Sequence, residues 1–173
     1  MGYPEALSAS DVGAILGMIP STKPEEDAVE YIESHESLAK AGYETEMAIK
    51  IAEAGCYTLK DEQGSEWLSA SPSGFIFNGG IVEIVCREGN PPEFKPIYEQ
   101  MHDYAKVQIK MHVTKTRFCH FYQWSRHGSK LMVIMYDEAW IGEYLPRLYE
   151  YYLQGKKKIP HLGAVSQRRG VTT

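Results

Sequence analysis

The pattern of apolar and polar positions is clearest between Ser69 and Cys86. Residues 81–86 have the sequence Ile-Val-Glu-Ile-Val-Cys, and this run of mostly β-branched apolar residues predicts a strand buried on both faces. Glu83 interrupts the run at its centre. A carboxylate in a buried strand costs several kcal/mol unless it is paired, protonated or bound to a cation. We therefore expect a compensating partner for Glu83.

The segment before this strand predicts the other half of a β-hairpin. Ser71 to Gly74 has the composition of a turn, and Asn78-Gly79 is a strong hairpin signal. Gly74 to Phe77 is predicted to pair antiparallel with the apolar run. Ser73 and Glu83 are therefore predicted to lie on adjacent strands, with their side chains close together.

Apolar spacing elsewhere predicts further helices and strands. Helices are predicted over residues 11–18, 28–54, 93–115 and 138–153, with a break at Gly42 in the second and its end at Gly55. Strands are predicted over residues 56–59, 66–70, 117–124 and 130–136. This order of elements predicts an α/β sandwich. We expect a domain over 1–155 and a frayed basic tail over 156–173, which contains Lys156 to Lys158 and Arg168-Arg169.

Composition and charge restrict the class of protein. A length of 173 residues with 43% hydrophobic residues fits one soluble domain. The formal net charge of −5 argues against binding nucleic acid by bulk electrostatics, but it is compatible with a local basic groove. Three cysteines without C-x-x-C spacing predict free thiols and no zinc site. Neither a signal peptide nor an apolar stretch of about 20 residues is found, so we expect a cytoplasmic protein without a membrane partner.

Four short motifs occur in a fixed order along the chain. They are Leu7 to Gly17 (LSASDVGAILG), Gly42 to Glu46 (GYETE), the hairpin over residues 71–85, and Tyr104 to Thr114 (YAKVQIKMHVT). Together they resemble the I-T-A-S-D-V-x-x-I-L-G, G-x-x-x-E, S-P-D-G…E-x-K and Y-x-x-Q-x-Q-x-x-M-x-V-T motifs of phage lambda exonuclease and the YqaJ viral recombinases. The resemblance covers about residues 7 to 150. It implies a PD-(D/E)XK, restriction-endonuclease-like core, in which helices flank a central mixed β-sheet.

The resemblance also implies a site for Mg²⁺ or Mn²⁺. In that family the Asp of S-P-D-G, the strand Glu and the next backbone carbonyl hold the metal, and the Lys of E-x-K positions water. The corresponding residues here are Ser73, Glu83, Ile84 and Val85, and the resemblance makes Glu46 a further residue facing the metal. Because serine and valine replace the aspartate and lysine, we expect metal-dependent hydrolysis to be weakened or lost.

Four other residues are candidates for the site or for DNA binding. Lys106 replaces a family glutamine on the helix that is implied to pack over the site. We hypothesise that its ammonium fills the space of the missing lysine. Gln108 is the next glutamine of the same motif. Ser8 or Ser10 is a candidate contact for a DNA 5′-phosphate at a helix N-terminus, and a plain N-cap is the alternative. For Glu46 the alternative is a surface residue paired with Lys50.

Three functional hypotheses follow from these residues. The first is a lambda-exonuclease-like nuclease that acts on double-stranded DNA ends in phage recombination, in the host cytoplasm if the chain is phage-encoded. The resemblance then implies a ring-shaped trimer and a single-strand annealing protein as partner. The second is a catalytically silent pseudonuclease that binds DNA or a protein partner as a regulator or subunit. The third is an unrelated α/β enzyme, which has to explain a buried Glu83 in another way.

Overall fold

The computed structural model describes residues 26–77, 79–91 and 94–158, with side chains described between residues 35 and 155. The motif that contains Ser8 and Ser10, the helix predicted over residues 11–18, and Arg168-Arg169 lie outside the described residues. Their predicted roles therefore stay predictions.

A mixed β-sheet forms the centre of the described chain. In order, the elements are α1 (Glu26–Met47), β1 (Ile51–Ala52), β2 (Tyr57–Lys60), β3 (Glu66–Ala70), β4 (Gly74–Ile76), β5 (Gly80–Cys86), a 3₁₀ turn (Ile97–Glu99), α2 (Met101–Thr114), β6 (Phe118–Ser125), β7 (Gly128–Met135) and α3 (Glu138–Lys158). The main sheet has the strand order β1-β4-β5-β6-β7, and β2 pairs with β3 separately. Only β5 and β6 run parallel among these strands. A parallel pair needs a crossover connection, and α2 supplies it.

Helices cover both faces of the main sheet. On one face, Val82 of β5 and Tyr122 of β6 pack against Tyr43 of α1. On the other face, Ile81 and Phe121 pack with Val107 and Met111 of α2. Successive side chains of a strand point to opposite faces, so β5 is buried on both. The predicted buried strand and the mixed α/β class are confirmed.

A second layer packs on the far side of α2. Ala105 and Ile109 of α2 contact Leu68 of β3 together with Trp140 and Leu148 of α3. Apolar residues of α2 thus face two layers, and the polar side chains of the helix are confined to the remaining stripe. Lys110 lies in this polar stripe and contacts Glu83 at the centre of β5. Within the described segments, no helix is long and apolar enough to cross a membrane.

The predicted break at Gly42 is wrong. The helix α1 passes through Gly42 without interruption and ends at Met47, where Ala48 adopts a positive φ of 53°. A Cβ at Gly42 would lie 3.3 Å from Trp124 Nε1, so the missing side chain lets α1 approach β6 closely. The predicted helical end at Gly55 is also wrong, because Ile51–Ala52 forms an edge strand.

Two other helix boundaries differ from the prediction. The helix predicted from residue 93 begins at Met101, because Pro96 has an extended backbone and disfavours a helical residue before it. The closing helix, predicted to end at residue 153, extends to Lys158, so Lys156 to Lys158 lie in its last turn. The strands begin and end within two residues of the predicted bounds.

Candidate functional site

The central hairpin brings Ser73 beside the middle of β5. The register pairs Gly74 with Val82, which places Ser73 opposite Glu83 just beyond the end of β4. The backbone N–H of Ile84 donates to Ser73 Oγ at 3.0 Å. Where the resemblance expects a metal-binding carboxylate, the hydroxyl of Ser73 therefore serves the backbone of the neighbouring strand.

Glu83 is the buried carboxylate that the sequence predicts, and its partner is Lys110. The side chain of Glu83 is 13% exposed, and that of Lys110 is 19% exposed. Lys110 Nζ donates to Glu83 Oε1 at 2.5 Å. Glu83 Oε2 is buried and has no hydrogen-bond partner among the residues that the structure describes. The cation that compensates Glu83 is thus an ammonium group from α2.

Electrostatics tie a second lysine to this pair. Burial raises the pKa of Glu83, and the opposing influences are Lys110, then the Ser73 backbone, then Lys106. Burial lowers the pKa of Lys106; Asp103 opposes this, and the positive charge of Lys110 adds to it. Lys106 and Lys110 are one helical turn apart, so both face β5.

Val85 and Arg87 follow Glu83 at alternate positions, so this row of three side chains points to the same face of the sheet. Val85 packs against the apolar cluster between β5 and α2, where it offers no charge to orient a water molecule. Arg87 lies beyond the end of β5, but its N–H still donates to the Trp124 carbonyl at 2.7 Å. Its guanidinium donates to Gln100 Oε1 at 2.6 Å and to the carboxylate of Asp103. The row therefore holds an acid, an apolar residue and a base.

Glu46 lies on the other side of the sheet. Its carboxylate accepts two hydrogen-bond contacts from Ser129 Oγ, at 2.7 Å and 2.9 Å. It belongs to α1, which packs on the face opposite to Glu83. The structure thus separates Glu46 from Glu83. The alternative pairing with Lys50 is also not found, since Lys50 Nζ contacts Glu44 at 2.6 Å.

The resemblance placed Gln108 among the catalytic candidates, but its side chain bonds to backbone groups at the end of β7. It is fully buried, its Nε2 donates to the Met135 carbonyl at 2.9 Å, and its Oε1 accepts from the Asp137 N–H at 2.8 Å. Two residues along a helix differ by roughly 200° in direction. Gln108 therefore points away from the side that carries Lys110, and it fastens α2 to the end of β7.

Sequence reasoning assigned no role to Lys110, although the residue lies within the fourth motif. The available signal was a pair of lysines at i and i+4, Lys106 and Lys110, on the helix implied to pack over a strand with a buried acid. The cation that contacts Glu83 is Lys110. The hypothesis that Lys106 fills the space of the missing lysine concerns the position beside Val85 and stays a prediction.

The described residues around Glu83 do not fit a divalent cation. Mg²⁺ needs several oxygen ligands in octahedral geometry. Here Glu83 is the single carboxylate, Ser73 offers a hydroxyl, and Ile84 can offer one neutral carbonyl. Lys110 already bonds to the carboxylate. Across the described part of the chain there is also no group of three or more His, Cys, Asp or Glu that could hold a metal.

The chain has a mixed α/β fold with a central mixed sheet flanked by helices, and its structural neighbours are PD-(D/E)XK-like exonucleases. It is similar to an alkaline exonuclease, LHK-Exo, from Laribacter hongkongensis, with a TM-score of 0.67 and 19% identity over 91% of both chains. LHK-Exo in complex with dAMP gives a TM-score of 0.60 and 19% identity, over 90% of this chain and 94% of that one.

A phage-related exonuclease from Haemophilus somnus 129PT gives a TM-score of 0.64 and 11% identity over 91% of both chains. No protein-family model and no curated protein sequence matches this chain. At such low identity, these similarities establish the fold.

Proposed function

We propose that this protein binds double-stranded DNA ends in phage recombination, as a lambda-exonuclease-like protein whose metal-dependent phosphodiester hydrolysis is weakened or lost. The observation that carries the proposal is the contact of 2.5 Å between Lys110 Nζ and Glu83 Oε1. It supports the prediction that Ser73 and Val85 remove part of the catalytic chemistry. The proposal treats residues 1–155 as one nuclease-like domain.

Hydrolysis would require a metal ion to compete with a resident ammonium. Metal-assisted cleavage uses carboxylate oxygens to hold the cation that activates water and neutralises the phosphate. In this chain the only carboxylate of the hairpin is already neutralised by Lys110. Breaking a buried ion pair costs about 3–5 kcal/mol when one charge is left unpaired. A divalent ion would have to offset that cost with one carboxylate and neutral oxygens.

Local charge supports DNA as the partner. Four charged residues act electrostatically on Lys106: the cations Lys110 and Arg87 and the anions Glu83 and Asp103. With Lys106 itself, three positive and two negative charges sum to +1. The whole chain carries −5. A positive site on an acidic protein is suited to a phosphate backbone. LHK-Exo, which shares the fold, has been solved with dAMP.

Cleavage of end-labelled duplex DNA tests the enzymatic part of the proposal. We expect the parent protein to bind the duplex but to cleave it at least about a thousandfold more slowly than active enzymes that use positioned charge, which corresponds to roughly 4 kcal/mol. The matched variant is Ser73→Asp with Val85→Lys and Lys110→Met, which restores the acid and moves the cation. Rapid cleavage by the parent with Mg²⁺ or Mn²⁺ would show that hydrolysis is intact.

One observation favours the alternative of a subunit or regulator that binds a protein. Val133 and Met135 of the edge strand β7 are 56% and 63% exposed, and Tyr98, which lines the same surface, is 67% exposed. Among the described strands β7 has no partner on its outer side, and exposed apolar side chains at such an edge favour contact with another protein. The trimer and the single-strand annealing partner implied by the resemblance belong to this part of the proposal. Light scattering of Val133→Asp against the parent tests it, and an unchanged mass would argue against self-association there.

A further inference from the structure

We propose that Lys106, which lies on the same side of α2 as Asp103 and Lys110, is a metal-independent binding site for a DNA phosphate. This inference rests on the proposed function. It assigns to lysine ammonium groups the role that a divalent metal ion would have at the same site. In it, ammonium groups of the chain neutralise the phosphate that a divalent ion would otherwise contact. The ligand class is a phosphate oxyanion, either a backbone diester or a terminal 5′-phosphate.

The two acids near Lys106 are each paired with another cation. Lys110 bonds to Glu83 at 2.5 Å. Arg87 bonds to the carboxylate of Asp103 and to Gln100. Each acid therefore already has a cation. Within the described residues, Lys106 makes no hydrogen bond or ion pair at contact distance, although all these groups act on it electrostatically.

The environment of Lys106 makes an anion a suitable partner. Lys106 is half-buried, and burial lowers the pKa of its ammonium; Asp103 and Glu83 oppose this, while the positive charges of Lys110 and Arg87 add to it. An ammonium that has lost part of its hydration is destabilised unless an anion replaces the water. A bound phosphate would replace the lost hydration and would accept hydrogen bonds from the three donors of the ammonium.

The two acids hold the cations that neighbour Lys106 in position. Lys106 and Lys110 lie one turn apart on α2, so their side chains emerge side by side. Glu83 fixes Lys110, and Asp103 fixes Arg87. Glu83 is thus a positioning residue in this site. The His102 side chain is 52% exposed, and its Nδ1 lies 3.7 Å from Asp103 Oδ1.

Anisotropy titrations of labelled duplex DNA test the inference. The duplex carries a 5′-phosphate or a 5′-hydroxyl, and each is measured in Mg²⁺ and in EDTA over a range of salt concentrations. We expect the parent protein to bind equally in both. For Lys106→Met we expect about tenfold weaker binding and a salt slope that is smaller by about 1, as for one lost phosphate contact.

Lys40→Met is the matched control. It removes the same charge from α1, on the opposite face of the sheet, where Lys40 pairs with Glu36 at 3.2 Å. We expect it to change affinity by less than about twofold, because it leaves the phosphate contacts intact. Weakening by Lys106→Met with the 5′-phosphate duplex alone would assign the site to a terminal phosphate. Equal weakening with both duplexes would assign it to a backbone diester.

Two results would overturn the inference. One is binding by the parent that requires Mg²⁺, and the other is a Lys106→Met variant that behaves like Lys40→Met. If the parent binds no duplex at any salt concentration, the proposed function fails, and inorganic phosphate becomes the probe. A saturable NMR shift of the Lys106 side chain, assigned by its loss in Lys106→Met, would still support the site. No shift at any phosphate concentration would refute it.

Discussion

Lys110 Nζ lies 2.5 Å from Glu83 Oε1, and the two groups form an ion pair with both side chains more than four-fifths buried. The ammonium stands beside the carboxylate for which the resemblance implies a divalent cation. The pair therefore answers two questions together. It explains how a carboxylate is tolerated in the middle of β5, and it explains why the described residues do not fit a metal.

Removal of one partner from this pair should destabilise the fold. Lys110→Met leaves Glu83 buried and uncompensated, so we expect the free energy of unfolding near neutral pH to fall by about 3–5 kcal/mol. The double variant Glu83→Gln with Lys110→Met should recover most of that loss. Urea unfolding of the parent, both single variants and the double variant gives the coupling. Simple additivity of the two changes would contradict the ion pair.

The thermal stability of the parent should not respond to Mg²⁺. Since Lys110 already neutralises Glu83, we expect the same Tm in Mg²⁺ and in EDTA. The variant Ser73→Asp with Lys110→Met has two adjacent carboxylates and no ammonium, so Mg²⁺ should raise its stability, by roughly 2.7 kcal/mol at a hundredfold excess over Kd. Differential scanning calorimetry measures both. A Tm of the parent that rises with Mg²⁺ would show that the native site accepts metal.

Acid should destabilise the fold through His112 and His120. Burial lowers the pKa of both residues below the ordinary value of 6.5. The unfolded chain then binds more protons, so their stabilising contribution is present above about pH 6.5 and is lost as the pH falls through the folded pKa values. His120→Gln should flatten the dependence of unfolding free energy on pH between about 7 and 5. An unchanged slope would contradict the burial of a neutral His120, whose Nδ1 contacts Tyr43 Oη at 2.7 Å.

Two buried tyrosines should lose their hydroxyl protons only at strongly alkaline pH. Burial raises the pKa of Tyr43 and of Tyr122 to about 12. Their stabilising contribution is therefore present below the ordinary pKa of about 10 and is lost as the pH rises through 12. Absorbance at alkaline pH should show a late phase that shrinks in Tyr43→Phe and in Tyr122→Phe. A late phase that is unchanged in both variants would contradict the burial of Tyr43 and Tyr122.

Two glycines should respond in opposite ways to alanine. A Cβ at Gly74 would meet the Ile51 side chain and lie 2.8 Å from the Ala52 carbonyl oxygen, so Gly74→Ala should cost about 1–3 kcal/mol. At Gly142, inside α3, a Cβ would meet nothing within 4 Å. Gly142→Ala should therefore stabilise the protein by about 1 kcal/mol. Chemical denaturation compares the two, and a neutral Gly74→Ala would contradict the close pairing of β1 with β4.

Much of the fold could be predicted from the sequence, because its signals are local. The alternation and turn residues around Asn78-Gly79 predict the hairpin, and the unbroken apolar run predicts that β5 is buried on both faces. The need for a cation at Glu83 also follows from local pattern alone. The helix boundaries are not specified by local sequence, because the path of α1 through Gly42 depends on a close approach to β6, which lies about 80 residues away in the chain.

The sequence by itself determined that this chain carries a buried acid in a hairpin of a mixed α/β fold, with serine and valine at two positions of the implied site. Only the tertiary structure decided that Lys110 neutralises that acid, that Gln108 fastens α2 to β7, and that Glu46 lies across the sheet. The physical reason is that periodicity specifies which residues of one helix or strand share a face. The neighbour that each face meets is set by long-range packing of the whole fold.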